Sequence, residues 1–338
     1  MTRSFLWITE TEVAGILDMR AAIAALKVGL DREARGEAQN MTKTHVLWGK
    51  GDTLHAIGAV CPAAGVAGTK TWAHTEGGAT PLLLLFDAHD GSIKAIIEAF
   101  VLGQFRTAGI SGLATRFMAA AGADDMALIG TGKQALAQLA AVAAVRRLRR
   151  VRVFSPTPEH RQAFVANARS EFDLPIEEAS NVAAAVRDAS IITLVTRARE
   201  PFLTSDLAAR GAHINAVGAI APERIEFAPD LLDRCGLVVA DSVPQARNLS
   251  REFIEYFEAP GRDWARVRPL SEIVATGARR PGGADLTLFK ALGMGISDLS
   301  LGIEIYRRAV AQRLGRGVPH PVRAKPRLRA EEPASQGA

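Results

Sequence analysis

The segment 127–135 constrains the fold of this chain more than any other. It joins an apolar run, a Gly-x-Gly-x-x-Ala turn and an Ala-rich stretch, with Gly130, Gly132 and Ala135 at the three small positions. In this pattern the first glycine permits a sharp turn, the second lets the backbone approach a pyrophosphate, and the third small residue lets the helix pack on the strand. The helix N-terminus adds free N–H groups and a partial positive charge. The segment therefore predicts a dinucleotide-binding turn.

The neighbours of this turn favour a ligand over a purely structural role. Glycine turns between strands and helices are common in α/β proteins, so the motif alone leaves both interpretations open. A helix predicted over 134–147 and a second strand at 151–154 complete a β-α-β unit of about 30 residues. We therefore interpret the turn as a phosphate-binding site.

Two different patterns of elements divide the chain. From residue 126 onward strands alternate with helices, as in a doubly wound parallel sheet. The predicted strands there are 127–129, 151–154, 191–195, 213–216 and 237–241. Upstream, a single helix predicted over 11–36 precedes a series of short strands and a helix over 107–121. Those strands are 45–48, 54–60, 70–74, 82–87 and 93–100.

These patterns predict an α/β protein with two domains. An α+β domain spans 1–122, and a doubly wound Rossmann dinucleotide-binding domain spans 123–285. A helical run over 286–314 is predicted to return to the first domain and complete it. The segment 315–338 has four prolines and many charges without periodicity, and it is predicted to be a disordered tail.

Composition excludes several classes of function. Lys and Arg number 41 against 36 Asp and Glu, a formal net charge of +5. The basic runs lie at 146–150 and in the tail and are not interleaved with aromatic residues, so no nucleic-acid partner is predicted. A modest positive field suits small anions instead. The apolar stretch 5–8 is too short for a membrane span or a signal peptide.

Cysteine and histidine usage narrows the chemistry further. The chain has only Cys61 and Cys235, too few and too far apart for a disulfide framework, and its 7 histidines lack metal-ligand spacing. We therefore predict a cytoplasmic protein without a metal site.

Five segments together resemble the ornithine cyclodeaminase/mu-crystallin family, over about residues 40–314. They are Gly-Thr-Lys at 68–70, Phe-Arg-Thr-Ala-Gly at 105–109, the glycine turn at 129–135, Gly-Ala-His-Ile-Asn-Ala-Val-Gly-Ala at 211–219 and Phe-Lys-Ala-Leu-Gly at 289–293. The resemblance implies that the Rossmann domain binds NAD(P)H. It also implies that the first domain binds the substrate and forms the interface of a homodimer.

The resemblance also assigns the substrate site. Arg106 would hold a carboxylate through two parallel hydrogen bonds, and Lys70 would approach the same carboxylate; the alternatives are a solvated arginine and an edge-strand lysine. Lys43 stands nearest to an arginine that the family often carries on an early strand, and His45 could share that role. Asp298 matches an acidic position near the nicotinamide, with a helix N-cap as the equal alternative. Lys70, Arg106 and Asp298 are the predicted catalytic residues.

The predicted cofactor-binding residues lie in three places. They are Gly130, Thr131, Gly132, Lys133, Gln134 and Ala135 in the first turn, Ser155, Thr157 and Arg161 after the second strand, and Val217 and Gly218. NAD sites usually place an acid at the end of the second strand, and this chain has none there. Ser155 and Thr157 could accept a 2′-phosphate, with Arg161 or His160 compensating its charge. The sequence therefore weakly favours NADP over NAD.

One departure from the family pattern selects among activities. True ornithine cyclodeaminases carry an aspartate where this chain has Ile220, which cannot accept a proton, and the nearby Glu223 and Glu226 are interpreted as parts of a solvated turn. The predicted function is therefore an NAD(P)H-dependent reductase of α-imino carboxylates, or of α-keto acids with an amine, that yields an L-amino acid. The alternatives are ornithine cyclodeaminase, which converts ornithine to proline and ammonia, and a non-catalytic nucleotide-dependent binding protein of the mu-crystallin type.

Overall fold

The computed structural model describes residues 4–49 and 51–329 of the 338-residue chain. The strands are β1 (Ser4–Ile8), β2 (Gln39–Asn40), β3 (Thr44–Trp48), β4 (Asp52–Cys61), β5 (Val66–Thr75), β6 (Gly78–Ala79), β7 (Leu82–Asp87), β8 (Ile93–Glu98), β9 (Asp125–Ile129), β10 (Arg150–Phe154), β11 (Ile176–Glu178), β12 (Ile191–Leu194), β13 (His213–Ala216), β14 (Cys235–Ala240), β15 (Val267–Pro269), β16 (Leu286–Lys290) and β17 (Arg316–Pro319). The α-helices are α1 (Glu10–Ile16), α2 (Met19–Ala34), α3 (Phe100–Met118), α4 (Ala135–Val145), α5 (Pro158–Glu171), α6 (Val182–Val186), α7 (Val243–Leu249), α8 (Arg251–Phe257), α9 (Leu270–Thr276) and α10 (Gly295–Gln312).

A parallel sheet forms the half of the molecule predicted to be a Rossmann domain. Its strand order is β11-β10-β9-β12-β13-β16-β14-β15, and every neighbouring pair is parallel. Strands β9, β12, β13 and β16 are buried throughout, because helices cover both faces of such a sheet. The strand order reverses between β9 and β12, which places a ligand crevice outside the carboxyl ends of these strands. The predicted α/β class with a Rossmann domain is confirmed.

A second, mostly antiparallel sheet forms the other half. Its order is β17-β1-β8-β7-β5-β4-β2, with β3 paired to β4 and β6 paired to β5. The core between this sheet and the helices contains Ile8, Leu26, Leu85, Leu113 and Leu301. The same core continues into the Rossmann half through Val239 and Phe289 of β14 and β16, among others. Helices α2, α3 and α10 therefore hold the two sheets together.

The helical prediction from residue 286 is wrong over its first residues. Leu286–Lys290 is strand β16, which pairs with β13 on one side and β14 on the other, so the Rossmann sheet extends past the predicted boundary at 285. Helix α10 begins only at Gly295. A short apolar run such as Leu-Thr-Leu-Phe-Lys cannot be assigned to strand or helix by periodicity alone. Only its partners on both sides make it a central strand.

Two further predictions need correction at the ends of the first domain. The helix predicted over 11–36 is two helices, because Asp18 caps α2 by accepting a hydrogen bond from the Ala21 N–H. The tail predicted to be disordered from 315 begins with a strand, since Arg316–Pro319 pairs antiparallel with β1. Pro319 is tolerated there because it lies at the end of an edge strand. Residues 330–338 of that tail lie outside the described residues.

Two kinds of feature are absent from residues 4–49 and 51–329. No helix there combines the length and the apolar character that crossing a bilayer requires. No three His, Cys, Asp or Glu side chains there are grouped as metal ligands would be.

We expect β17 to stabilise the first sheet through its pairing with β1. A chain that ends at Gly315 should be less stable by about 1 to 3 kcal/mol than a chain that ends at His320, because it lacks the hydrogen bonds of this ladder. His320 is kept in the control since its ring packs edge-on against Phe5 at 5.7 Å. Urea unfolding measures the difference, and equal midpoints for the two chains would show that the ladder contributes nothing.

Candidate active site

A cavity of about 1310 Å³ separates the two sheets. The first domain lines it with side chains from β5 and α3, and the Rossmann domain lines it with the loops that follow β9, β10, β12 and β13. This position is the crevice where doubly wound sheets bind their ligands. The predicted cofactor-binding and substrate-binding residues therefore lie in or near the lining of one shared cavity.

The glycine turn after β9 has the geometry of a phosphate cradle. Gly130 has a φ of +113°, and a Cβ there would lie 2.6 Å from the carbonyl oxygen of Val195. A Cβ on Gly132 would meet no heavy atom within 4 Å, so this backbone faces open space in the cavity. Helix α4 begins at Ala135, and its N-cap Gln134 makes no capping side-chain hydrogen bond. The turn and the uncapped helix end therefore fit a dinucleotide pyrophosphate.

Most of the predicted cofactor residues line this cavity. They are Gly130, Thr131, Gly132, Lys133, Gln134, Ser155, Thr157, Val217 and Gly218. Ala135 lies behind the turn, fully buried in α4, where its small side chain allows close packing. Its predicted role is therefore structural rather than one of ligand contact.

The structure does not bring Arg161 into the cavity lining. Its Nη1 donates to the Ser155 carbonyl at 2.8 Å, and its Nε pairs with Glu178 Oε2 at 3.0 Å. Arg161 thus stabilises the loop after β10 through the Ser155 carbonyl, from outside the cavity lining. His160, the alternative to Arg161 in the sequence, lines the cavity in its place.

The three predicted catalytic residues meet in one cluster. Lys70 is only 4 % exposed and its Nζ donates to Asp298 Oδ1, while Arg106 Nε lies 3.4 Å from the same oxygen. Asp298 Oδ2 is buried without a hydrogen-bond partner among the described residues. Lys43 lines the same cavity, whereas His45 stacks on His55 at 5.7 Å and is absent from the lining described. The cluster therefore combines three cations, Lys70, Arg106 and Lys43, with the buried carboxylate of Asp298.

Local structure explains how each group is aimed. Lys70 belongs to the central strand β5 and pairs across to Ile57 and Leu83, so it is not an edge-strand lysine. Arg106 lies in the second turn of α3 rather than at its start. Asp298 lies inside α10, whose N-cap is Met294, and this excludes the alternative role of an N-cap.

A backbone loop supports the guanidinium of Arg106. Gly293 has a φ of +88°, and a Cβ there would lie 2.7 Å from Arg106 Nη1. The Gly293 N–H donates to Asp241 Oδ2 at 2.7 Å, and Gln245 Nε2 donates to the Gly293 carbonyl at 2.7 Å. The Asp241 carboxylate also accepts from the Leu292 N–H. Asp241, which follows β14, thus positions the loop against Arg106.

Burial makes the lysines of this cluster easier to deprotonate. Removal from water lowers the pKa of Lys70 to about 8, although the Asp298 carboxylate acts in the opposite direction. Burial and the Arg106 charge likewise lower the pKa of Lys43. Charged lysines in this position would be stabilised by an anion, so the cluster is suited to a carboxylate ligand.

The interpretation of Glu226 as part of a solvated turn is wrong. Its side chain is fully buried, and its carboxylate accepts hydrogen bonds from the backbone of Thr196, Gly218 and Ala219. Ile220, by contrast, is 43 % exposed and lines the cavity. The spacing of Glu223 and Glu226 in the sequence contains no signal that distinguishes a buried acid from a surface one.

The model of the ornithine cyclodeaminase/mu-crystallin family matches residues 5–313. The chain belongs to this family. The resemblance inferred from the five sequence segments is therefore confirmed, and it covers both sheets and the cavity between them.

Three relatives illustrate the similarity. The chain is 29% identical over 236 residues to Delta(1)-pyrroline-2-carboxylate reductase of Bacillus cereus, covering 69% of this chain and 72% of that protein. It is 32% identical over 224 residues to ketimine reductase mu-crystallin of Rattus norvegicus, covering 66% and 68%. The crystal structure of the iminosuccinate reductase of Paracoccus denitrificans in complex with NAD+ superposes with a TM-score of 0.88 at 25% identity, covering 94% of this chain and 99% of that one.

Because Lys70 has a lowered pKa, we expect carboxylate binding to weaken in mild alkali. Lys70 is charged below its pKa of about 8 and neutral above it, so the affinity for pyruvate should fall about tenfold between pH 7 and pH 9. Isothermal titration calorimetry measures this profile. Lys70→Met should bind more weakly at pH 7 and show a smaller decline over this range, because only Lys43 with its lowered pKa remains.

The comparison of the two profiles isolates Lys70 from its charged neighbours. Asp298, Arg106 and Lys43 all face it and remain in both proteins. A wild-type affinity that is constant from pH 7 to pH 9, or an equal decline in Lys70→Met, would contradict the assignment.

Proposed function

We propose that this protein is an NAD(P)H-dependent reductase of α-imino carboxylates, or of α-keto acids together with an amine, that yields L-amino acids. One observation carries the proposal: Lys70 and Arg106 line the same cavity as the glycine turn after β9. A cation pair suited to a carboxylate thus faces a cradle suited to a dinucleotide. This pairing is what hydride transfer to the carbon beside a carboxylate requires.

The dinucleotide would lie across the carboxyl ends of the parallel strands. The pyrophosphate would bind the 130–134 backbone, the adenosine half the loop after β10, and the other half the loops after β12 and β13. We assign Gly130, Thr131, Gly132, Lys133, Gln134, Ser155, Thr157, His160, Val217 and Gly218 to this ligand, since all of them line the cavity. The bound nicotinamide supplies the hydride.

The protein orients the substrate and stabilises its charge. Arg106 would hold the carboxylate with two parallel hydrogen bonds, and Lys70 and Lys43 would add positive charge. The imine nitrogen carries its own proton, so the C=N electron pair moves to nitrogen as carbon accepts the hydride. Asp298 holds the Lys70 ammonium in place through their ion pair. The chemistry therefore depends on orientation and electrostatics more than on a separate acid.

The names of the relatives support this substrate class. The relative in Bacillus cereus is named for pyrroline-2-carboxylate, that in Rattus norvegicus for ketimines, and that in Paracoccus denitrificans for iminosuccinate. All three are reductases of a C=N bond. Reduction of an imine is therefore the activity that the site and the relatives have in common.

We further propose a preference for NADPH. Ser155 and Thr157 follow β10, no acid stands at the end of that strand, and His160 lines the same part of the cavity. Arg161 is partly neutralised by Glu178, which reduces its contribution. Because the Paracoccus denitrificans structure holds NAD+, both nucleotides are compared in every assay.

The two alternative functions find less support in the cavity. Cyclodeamination needs a base where Ile220 presents an apolar side chain, and the Asp241 carboxylate is occupied by the Leu292 and Gly293 N–H groups. A protein that only binds a nucleotide would need no second site for a carboxylate. Here the cations Lys70 and Arg106 line the same cavity as the glycine turn. Reduction remains the function that uses both halves of the cavity.

A reducing compartment such as the cytoplasm suits this protein. Both cysteines, Cys61 and Cys235, are buried free thiols, as is usual where disulfides do not form.

The activity test is a panel of substrates with and without Arg106. Purified protein with NADPH or NADH should consume the nucleotide in the presence of one or more of pyrroline-2-carboxylate, piperideine-2-carboxylate, iminosuccinate, and pyruvate with ammonia or methylamine. Arg106→Ala should lower kcat/KM by about 2 to 4 kcal/mol, the cost of a lost charged contact, with nucleotide affinity unchanged. Absorbance at 340 nm follows the reaction.

Arg116→Ala is the matched control, because Arg116 is exposed on the same helix α3 and should keep full activity. Proline formed from ornithine without net nucleotide consumption would identify a cyclodeaminase instead. Nucleotide binding without turnover of any substrate would identify a binding protein.

We propose that the protein is a homodimer that covers strand β3. All five residues of β3 are exposed, and β4 is its partner strand among the described residues. Val46 and Leu47 are 64% and 63% exposed, and the cross-strand partner of Val46, Leu54, is 49% exposed. An apolar strand with an open edge is a surface that another chain usually covers. A second copy is the occupant that the family resemblance implies.

We expect Val46→Lys combined with Leu54→Lys to convert the dimer into a monomer, since two charges on one face of the pair would be buried without partners. Sedimentation velocity measures the change in mass. Val310→Lys is the control, because Val310 is 52% exposed on α10, away from this pair. A wild-type protein that sediments as a monomer would refute the proposal.

A further inference from the structure

A buried network of charged residues lies directly beneath the cavity floor. Its members are Glu226, Glu252 and Lys290, whose side chains are each 0% exposed. None of the three lines the cavity, and the hydride-transfer chemistry described above does not use them. Burying two carboxylates and an ammonium is costly unless each of them is paired and hydrogen-bonded. The contacts that satisfy this network reach the loops of the cavity.

The Glu226 carboxylate connects two cavity loops. Oε1 accepts from the Thr196 N–H at 2.6 Å and from the Thr196 hydroxyl at 2.8 Å. Oε2 accepts from the N–H groups of Gly218 and Ala219 at 2.8 and 3.0 Å. Thr196 follows β12 and Gly218 follows β13, so one carboxylate sets the distance between the ends of two neighbouring strands.

The two loops touch each other at this point. A Cβ on Gly218 would lie 2.1 Å from the carbonyl oxygen and 2.2 Å from the nitrogen of Thr196, and 2.6 Å from Glu226 Oε1. The backbones can approach this closely only because residue 218 is glycine. Thr196 and Gly218 both line the cavity, so a small change in their separation changes the shape of the cavity floor.

A second layer fixes Glu226 itself. The Glu226 N–H donates to Glu252 Oε1 at 3.0 Å, and Lys290 Nζ lies 3.3 and 3.1 Å from the two Glu252 oxygens. The Ser250 hydroxyl donates to Glu252 Oε2 at 3.0 Å. Burial raises the pKa of Glu226, and Lys290 and the N–H donors act against this shift. Lys290, the last residue of β16, thus stabilises the Glu252 carboxylate, and Glu252 in turn holds the Glu226 backbone.

From this geometry we infer that Glu226 is a positioning residue for the nicotinamide half of the cofactor. The inference rests on the proposed function. The pyrophosphate binds after β9 and the adenosine half after β10, so the remaining half of a dinucleotide extends over β12 and β13. The loops that Glu226 connects therefore form the floor on which the nicotinamide rests. Arg106, beside Gly293 in the loop after β16, lines the same cavity.

Glu226→Gln tests this role with little change in volume. The side-chain NH₂ group of the introduced glutamine cannot accept a hydrogen bond, so it would face the N–H donors of either Thr196 or Gly218 and Ala219. The loop that carries those donors would lose its acceptor and move. The affinity for NADPH or NADH should fall about tenfold or more, the scale for losing hydrogen bonds to a charged group. ADP-ribose or its 2′-phosphate, which lack nicotinamide, should bind within about twofold of wild type. Fluorescence titration measures these binding constants without any substrate.

Thr196→Val is a milder second variant, since it removes the hydroxyl donor and keeps the backbone donor; a smaller loss of NAD(P)H affinity is expected. It also keeps the inference testable if Glu226→Gln does not fold. Asp125→Asn is the matched control, because Asp125 is a buried carboxylate paired with three arginines at the opposite end of β9. It should lose stability and keep NAD(P)H affinity.

The outcomes separate this inference from the proposed function. If wild type binds neither NADPH nor NADH, the proposed function fails. If wild type binds one of them and Glu226→Gln keeps that affinity, or loses NAD(P)H and the ADP-ribose fragment equally, the positioning role is overturned. A selective loss for the nucleotide that carries nicotinamide, with Asp125→Asn unaffected, supports it.

Discussion

The ion pair between Lys70 and Asp298 is the constraint around which the active-site half of the molecule is arranged. It joins strand β5 to helix α10, 228 positions apart in the sequence. A lysine that is 4% exposed is tolerated inside a protein only when a carboxylate compensates its charge. Strand β5 must therefore pack against α10 so that Lys70 lies opposite Asp298. Arg106 on α3 approaches the same carboxylate. The arrangement of these three side chains follows from satisfying this buried charge.

Two further buried acids near the cavity, Glu226 and Asp241, satisfy backbone N–H groups rather than a buried cation. Glu226 and Asp241 both accept backbone N–H groups from loops that follow parallel strands. Such loops leave several N–H groups without partners in the sheet, and an unsatisfied buried N–H is costly. A carboxylate can accept several donors at once. Two acids outside the lysine–aspartate pair thus shape the floor and one wall of the cavity, and they do so through the backbone.

Sequence reasoning succeeded where the signal is local. The glycine turn and the strand alternation after residue 126 are encoded within short segments, because each depends on nearby backbone geometry. The site roles of Lys70 and Arg106 rest on the family resemblance and stay predictions. Strand β16 was missed because only its two neighbours make it a strand. Glu226 was missed because its role as an acceptor depends on two loops that only the fold brings together, at Thr196 and at Gly218. Strand β17 was missed for the same reason as β16, since its partner strand lies more than 300 positions away. Periodicity carries no information about contacts at such separations.

The pairing of β1 with β17 has a consequence for how the chain assembles. The first domain is discontinuous: its sheet takes strands from residues 4–98 and from 316–319, and the whole Rossmann domain lies between them. Helix α10, which packs into its core, is also supplied from the far side. During synthesis from the N-terminus, the Rossmann strands are all available before α10 and β17 emerge. The first domain must therefore wait, with part of its apolar core uncovered, until the Rossmann domain has been made.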